Sequence, residues 1–256
     1  MKQKFLNLAL VLGLAALAGC EKYENYEAPF QTAQADKARL KVVYASAYAT
    51  NPAVQLSIDD VRVSGLITGR TPFPGGGYNT TGSNFPDYLI VEPGTRKFSI
   101  AIPKVGTNVD SVLLYTTQVT VAGRVNQTLH VMDTFTKTKS LLVQDNISSP
   151  GKNMSRYRFV NLMPNAPLVD LYYGTVRVAT GVAYNTPGVE FTLPTPATAL
   201  AWTIRETGTL PTSTAMATYS SASTSTSDRV YTAFAMGYKG SAATNTRPYI
   251  SFSLNR

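Results

Sequence analysis

The chain has 256 residues, a net charge of +8, one histidine and one cysteine. A single cysteine excludes an intrachain disulfide, and so few histidines and cysteines argue against a metal site built on them. The basic residues are scattered singly, without the clustered patch by which proteins neutralise a nucleic-acid backbone, so no nucleic-acid partner is expected.

At the N-terminus, Lys2 and Lys4 precede an apolar run, Phe5 to Ala16, broken only by Asn7. Small residues then lead to Cys20. This is the layout of a secretory signal. The run is shorter than the roughly 20 apolar residues a membrane span needs, and it lacks the polar face of a core helix. Leu17-Ala18-Gly19-Cys20 resembles a bacterial lipobox. That resemblance implies cleavage before Cys20, acylation of Cys20 and a membrane partner through the lipid anchor. Each buried methylene contributes about 0.8 kcal/mol, and two acyl chains already anchor stably. Residues 1–19 are therefore read as the signal peptide. Residues 20–36 are read as the lipidated cysteine and a flexible tether. The tether sequence, EKYENYEAPFQTAQAD, is acidic, poor in aliphatics and without a period. Acids just after the cysteine favour the outer face in lipoproteins of some double-membraned bacteria, and Glu21, Glu24 and Glu27 fit that pattern. The expected location is the cell envelope, anchored to the outer membrane. Loss of the leader lowers 23 basic residues to 21 against 15 acidic ones, a net charge of +6.

The remainder alternates between short strands and turns. RLKVVYAS (39–46), AVQLSI (53–58), RKFSIAI (96–102), SVLLYTTQVTV (111–121), NQTLHVM (126–132) and KSLLVQ (139–144) are rich in β-branched and aromatic residues. Pro, Gly and Asn stand between them, and no helical period persists for three turns. The pattern predicts an all-β chain. A repeat is also visible. Arg39 aligns with Arg156, Val43 with Val160, Leu56 with Leu171, and Val61-Arg62-Val63 with Val176-Arg177-Val178. The expected organisation is two tandem immunoglobulin-like β-sandwiches, residues 37–145 and 155–256, joined by a linker at 146–154.

The segments ARLKVVYASAYATNPAVQLSIDD and SRYRFVNLMPNAPLVDLYYG, with the turn Val91-Glu92-Pro93-Gly94, resemble a widespread family of exported repeats. The family has a placeholder name, domain of unknown function (DUF 4397). The resemblance covers residues 37–144 and, less closely, 155–256, where Pro194-Thr195-Pro196-Ala197-Thr198 stands in place of the Pro-Gly turn. It implies a β-sandwich at the cell surface and no known reaction.

Few residues suggest chemistry. His130 alternates with Leu129 and Val131 and is expected on the wet face of its strand. Asp59-Asp60 reads as a pair of hairpin-turn acids rather than a calcium site. PGGGY (74–78) lacks the following helix that a phosphate cradle needs. Thr212 to Asp228, a Ser/Thr-rich stretch, reads as a mobile loop or a poor edge strand. The segment 64–87 is longer than its counterpart in the second repeat and carries Phe73, Tyr78 and Phe85 among Gly, Asn and Thr. Long loops on rigid sandwiches often bind, and aromatics flanked by amides and hydroxyls suit a sugar ring or a peptide. These three residues are the candidate ligand-binding loop. No catalytic residue, metal or cofactor is assigned. The sequence thus suggests a non-enzymatic surface lipoprotein acting as a binding, adhesion or structural module, with a glycan or protein as ligand. Two rivals remain at this stage: a carbohydrate-binding accessory protein of a glycan-uptake system, and a hydrolase using an acid pair.

Overall fold

The computed structural model describes residues 35–77 and 79–256. Cys20, the leader, the tether up to residue 34 and Tyr78 lie outside the described residues.

The chain first forms β1 (Ala38–Tyr44), β2 (Gln55–Ile58), β3 (Val61–Arg62), β4 (Leu89–Val91), β5 (Gly94–Pro103), β6 (Asp110–Val121), β7 (Asn126–Met132) and β8 (Lys139–Gln144). It then forms β9 (Met154–Asn161), β10 (Leu168–Tyr173), β11 (Val176–Ala183), β12 (Val189–Pro194), β13 (Trp202–Glu206), β14 (Ala217–Tyr219), β15 (Arg229–Met236) and β16 (Tyr249–Leu254). The first eight strands make two sheets, ordered β4-β1-β7-β8 and β3-β2-β5-β6. The second eight repeat the same scheme as β12-β9-β15-β16 and β11-β10-β13-β14. The all-β, two-sandwich expectation holds. In each sandwich the central pair, β1 with β7 and β9 with β15, is parallel.

Alternation along the strands assigns the faces. In β1, Leu40, Val42 and Tyr44 point into the first sandwich and meet Leu56, Phe98 and Leu129. In β15, Tyr231, Ala233 and Ala235 point into the second, around Trp202. A third apolar layer lies between the sandwiches. Val43 and Met132 from the first meet Val160, Leu162, Phe234 and Met236 from the second. Sheet β4-β1-β7-β8 therefore packs its outer face on that of β12-β9-β15-β16, and residues 38–256 form one compact unit of four stacked sheets.

This stacking corrects the expectation for His130. Its face of β7 is the one that the second sandwich covers, so the side chain is fully buried, 6.2 Å from the Phe234 ring. Of the two readings of the Ser/Thr-rich stretch, the poor edge strand is the one found: it forms β14, three residues at the edge of its sheet, followed by a short 3-10 turn, Ala222–Thr224. Thr224 is buried, its carbonyl accepts from the Tyr157 hydroxyl (2.7 Å) and its hydroxyl accepts from the Trp202 indole (2.9 Å). A polar segment here satisfies the polar tips of core aromatics.

Candidate functional site

The long loop 64–87 does not stand free. Phe73 is 3% exposed and lies in the core of the second sandwich, with ring centroids 6.0 Å from Tyr231 and 5.9 Å from Phe252. No ligand can stack on it there, so the aromatic trio does not assemble at the surface. Phe85 is exposed at 63%. The reason for the burial is the company the loop keeps. Its backbone runs beside edge strand β16: the Leu254 N–H donates to the Ser83 carbonyl (2.9 Å) and the Ser251 hydroxyl to the Thr71 carbonyl (3.2 Å). Arg70 caps the same edge, bonding the Arg247 carbonyl (2.7 Å) and covering the Tyr249 ring. Within the loop, the Gly76 N–H donates to the Gly82 carbonyl (2.6 Å); a Cβ on Gly76 would overlap the Thr81 and Gly82 main chain, and one on Gly82 that of Thr71 and Pro72. Of the glycine run, Gly76 is the residue that packing requires to be glycine. From the loop, Asn79 Oδ1 accepts from the Val42 N–H (2.8 Å), which ties it to β1 as well.

Asp59 and Asp60 occupy the β2–β3 turn in left-handed conformation, as turn acids do. The Lys97 backbone N–H, then the Arg96 side chain, hold the Asp59 carboxyl below its ordinary range. Among the described residues no group of three His, Cys, Asp or Glu is placed to hold a metal.

A buried polar cluster lies where the two sandwiches meet. Lys41 on β1 is fully buried. Its Nζ donates to the Leu254 carbonyl and to Asn255 Oδ1 (3.1 Å), and it stands over the Tyr88 ring at 4.6 Å. Asn255 Nδ2 donates to Thr232 Oγ1 (2.8 Å) and lies 3.5 Å from Asp145 Oδ1. Asp145 Oδ2 accepts from Thr128 (2.6 Å) and from the Tyr88 hydroxyl (3.0 Å). Burial lowers the Lys41 amine to about 8, against the pull of Asp145 and Asp87. Burial likewise raises the Asp145 carboxyl, with Lys41 and the Thr128 and Tyr88 hydrogen bonds opposing. Amine and acid are thus closer in proton affinity than their exposed counterparts. A cleft of about 380 Å³, lined by Arg39, Tyr88, Asn126, Asn255 and Arg256, opens beside the cluster.

Sequence reasoning missed Lys41, Tyr88, Asp145 and Asn255. One local signal was present. In RLKVVY, Lys41 shares its face with Val43, and in NQTLHVM, His130 shares its face with Met132. An apolar residue on the supposed wet face marks a covered one.

The family model for "Domain of unknown function (DUF4397)" matches residues 38–172, more than half of the chain. The chain belongs to this family. The DUF4397 match runs through all of the first sandwich and continues over β9 and most of β10. No curated protein matches the chain.

Proposed function

We propose that this DUF4397 protein is a bacterial surface lipoprotein, anchored through Cys20 to the outer membrane, whose paired sandwiches serve as a rigid binding, adhesion or structural module. In this reading each sandwich is one copy of the family's domain, since the two share one strand order. The observation that carries the reading is where the chain enters the body: Arg39, at the start of β1 and just after the segment read as the tether, lines a cleft at one end of it. The ten residues of β5 run away from that end, about 33 Å at 3.3 Å per residue. A body entered at one end is suited to stand on a tether and present its far end. The glycan rival rested on Phe73, Tyr78 and Phe85 acting together, and Phe73 is committed to the core. The test is to express the full chain and its Cys20→Ala variant with a clickable palmitate analogue, and to probe intact cells with an antibody. The expected result is acylated, antibody-accessible wild type and an unacylated variant. Equal labelling of both would refute the anchor. Acylation without surface staining would refute the outward-facing role.

A further inference from the structure

From the placement of three buried side chains, we infer that Lys41 and Asn255 become joined by an intramolecular isopeptide bond, with Asp145 as the catalytic acid and base. The site links the first strand of the first sandwich to the residue that follows the last strand of the second. It stands independently of how the chain is anchored.

The geometry has each part such a reaction needs. The nucleophile is the Lys41 Nζ, already 3.1 Å from the carbonyl oxygen of the amide it would attack. The amide is oriented. Asn255 Oδ1 faces the amine, while Nδ2, the leaving group, faces Thr232 Oγ1 and Asp145 Oδ1 at 2.8 and 3.5 Å. All three side chains are buried, Lys41 at 0%, Asn255 at 4% and Asp145 at 6% exposure. Burial favours a neutral amine, which is the nucleophilic form, and a protonated carboxyl, which is the form that can donate. Fixing the reactants in contact replaces a bimolecular encounter by an intramolecular step, the largest single aid an unreactive amide can receive. Thr128 and Tyr88 fix Asp145 from the other side, so its free oxygen is the one turned toward Nδ2.

The step balances without a co-reactant. The lone pair of Nζ forms a bond to Cγ of Asn255. Asp145 gives its proton to Nδ2 as the Cγ–Nδ2 bond breaks, and ammonia leaves. The proton lost by Nζ restores the Asp145 carboxyl. One amide replaces another, so nothing is oxidised or reduced. The adjacent cleft, lined in part by Asn255 itself, gives ammonia a way out. The product closes residues 41–255 into one covalent ring across the interface of the sandwiches. A pull applied at the N-terminal side would meet that cross-link at Lys41, the fourth residue of β1.

The test is mass spectrometry of the full chain, expressed with its leader, denatured and digested. It is run beside Lys41→Arg, Asn255→Ala and Asp145→Asn. The expected wild type gives a branched peptide joining the Lys41 and Asn255 segments, lighter than the two linear peptides by one ammonia. Boiled in detergent, it migrates faster than the Lys41→Arg and Asn255→Ala variants, which stay linear. Asp145→Asn, folded by circular dichroism, is expected to stay linear too. A wild type that yields only the free C-terminal peptide with intact Asn255 overturns the proposal, and this measurement depends on no variant folding. A branched peptide at wild-type yield in Asp145→Asn overturns the role of Asp145.

Discussion

The two sandwiches share a strand order but not a degree of self-sufficiency. Every buried residue in the core of the first lies between Ala38 and Val131. The core of the second takes residues from Tyr157 onward and one from far outside, Phe73. The edges differ as well: β6 has twelve residues, its counterpart β14 only three. The first sandwich has a long connection between β3 and β4 and uses it to finish the second. The likeness of the two sandwiches is therefore one of topology, and the second is completed by a residue from the first.

Breaking that comparison at its centre gives the largest expected effect. Phe73→Ala removes a buried aromatic that the surrounding rings cannot replace, a class of change that costs about 3–5 kcal/mol. Although Phe73 lies between two strands of the first sandwich, its loss should act on the second. Urea unfolding should show the destabilisation. Hydrogen exchange should show protection lost in β15 and β16 before β2 and β5. Equal loss in both sandwiches would mean that the loop is not specific to the second core.

The layer between the sandwiches gives the next effect. Burial, then the Lys41 and Arg158 charges, pushes His130 down to about 3. Neither ring nitrogen has a hydrogen-bond partner among the described residues. The folded state thus holds this ring neutral, while in the unfolded chain it binds a proton below about 6.5. The unfolded state therefore takes up the extra proton as pH falls through 6.5. The contribution is fully present above that value and is lost on acidification toward 3, at up to about 1.4 kcal/mol for each pH unit. His130→Phe, which fills the same space beside Phe234 without a titrating group, should flatten this part of the slope. Unfolding midpoints of the two proteins between pH 7.5 and 5 measure it. An unchanged slope would place the acid sensitivity elsewhere.

How far these features can be read from the chain alone depends on whether their cause is local. NQTLHVM and KSLLVQ coincide with β7 and β8, and SVLLYTTQVTV falls one residue short of β6, because strand propensity and bounding turns act within a few residues. The strand order follows from the repeat only by analogy. The destination of a face is not local at all. Alternation shows that Leu129 and His130 point oppositely, but not that a second sheet seals the polar side. The same holds for Lys41, Asp145 and Asn255, whose sequence separations exceed a hundred residues between Lys41 and either partner. Phe73 shows a third limit. Its setting among Gly and Thr correctly marks a loop, yet a loop's composition does not say which core it enters.

The smallest effect sharpens the contrast within that loop. Phe85 lies twelve residues after Phe73 and is largely exposed, so Phe85→Ala removes little buried area. Substitutions of this kind stay within about 0.5 kcal/mol. The unfolding curve should overlay the wild type, where Phe73→Ala shifts it strongly. That neutrality makes Phe85→Ala an informative variant for binding. Any ligand or partner lost on this change, with stability unaltered, is lost through a direct contact. Loss on Phe73→Ala would report only the damaged core. A substantial drop in stability for Phe85→Ala would show instead that the ring holds the loop in place, and the contrast between the loop's two phenylalanines would fail.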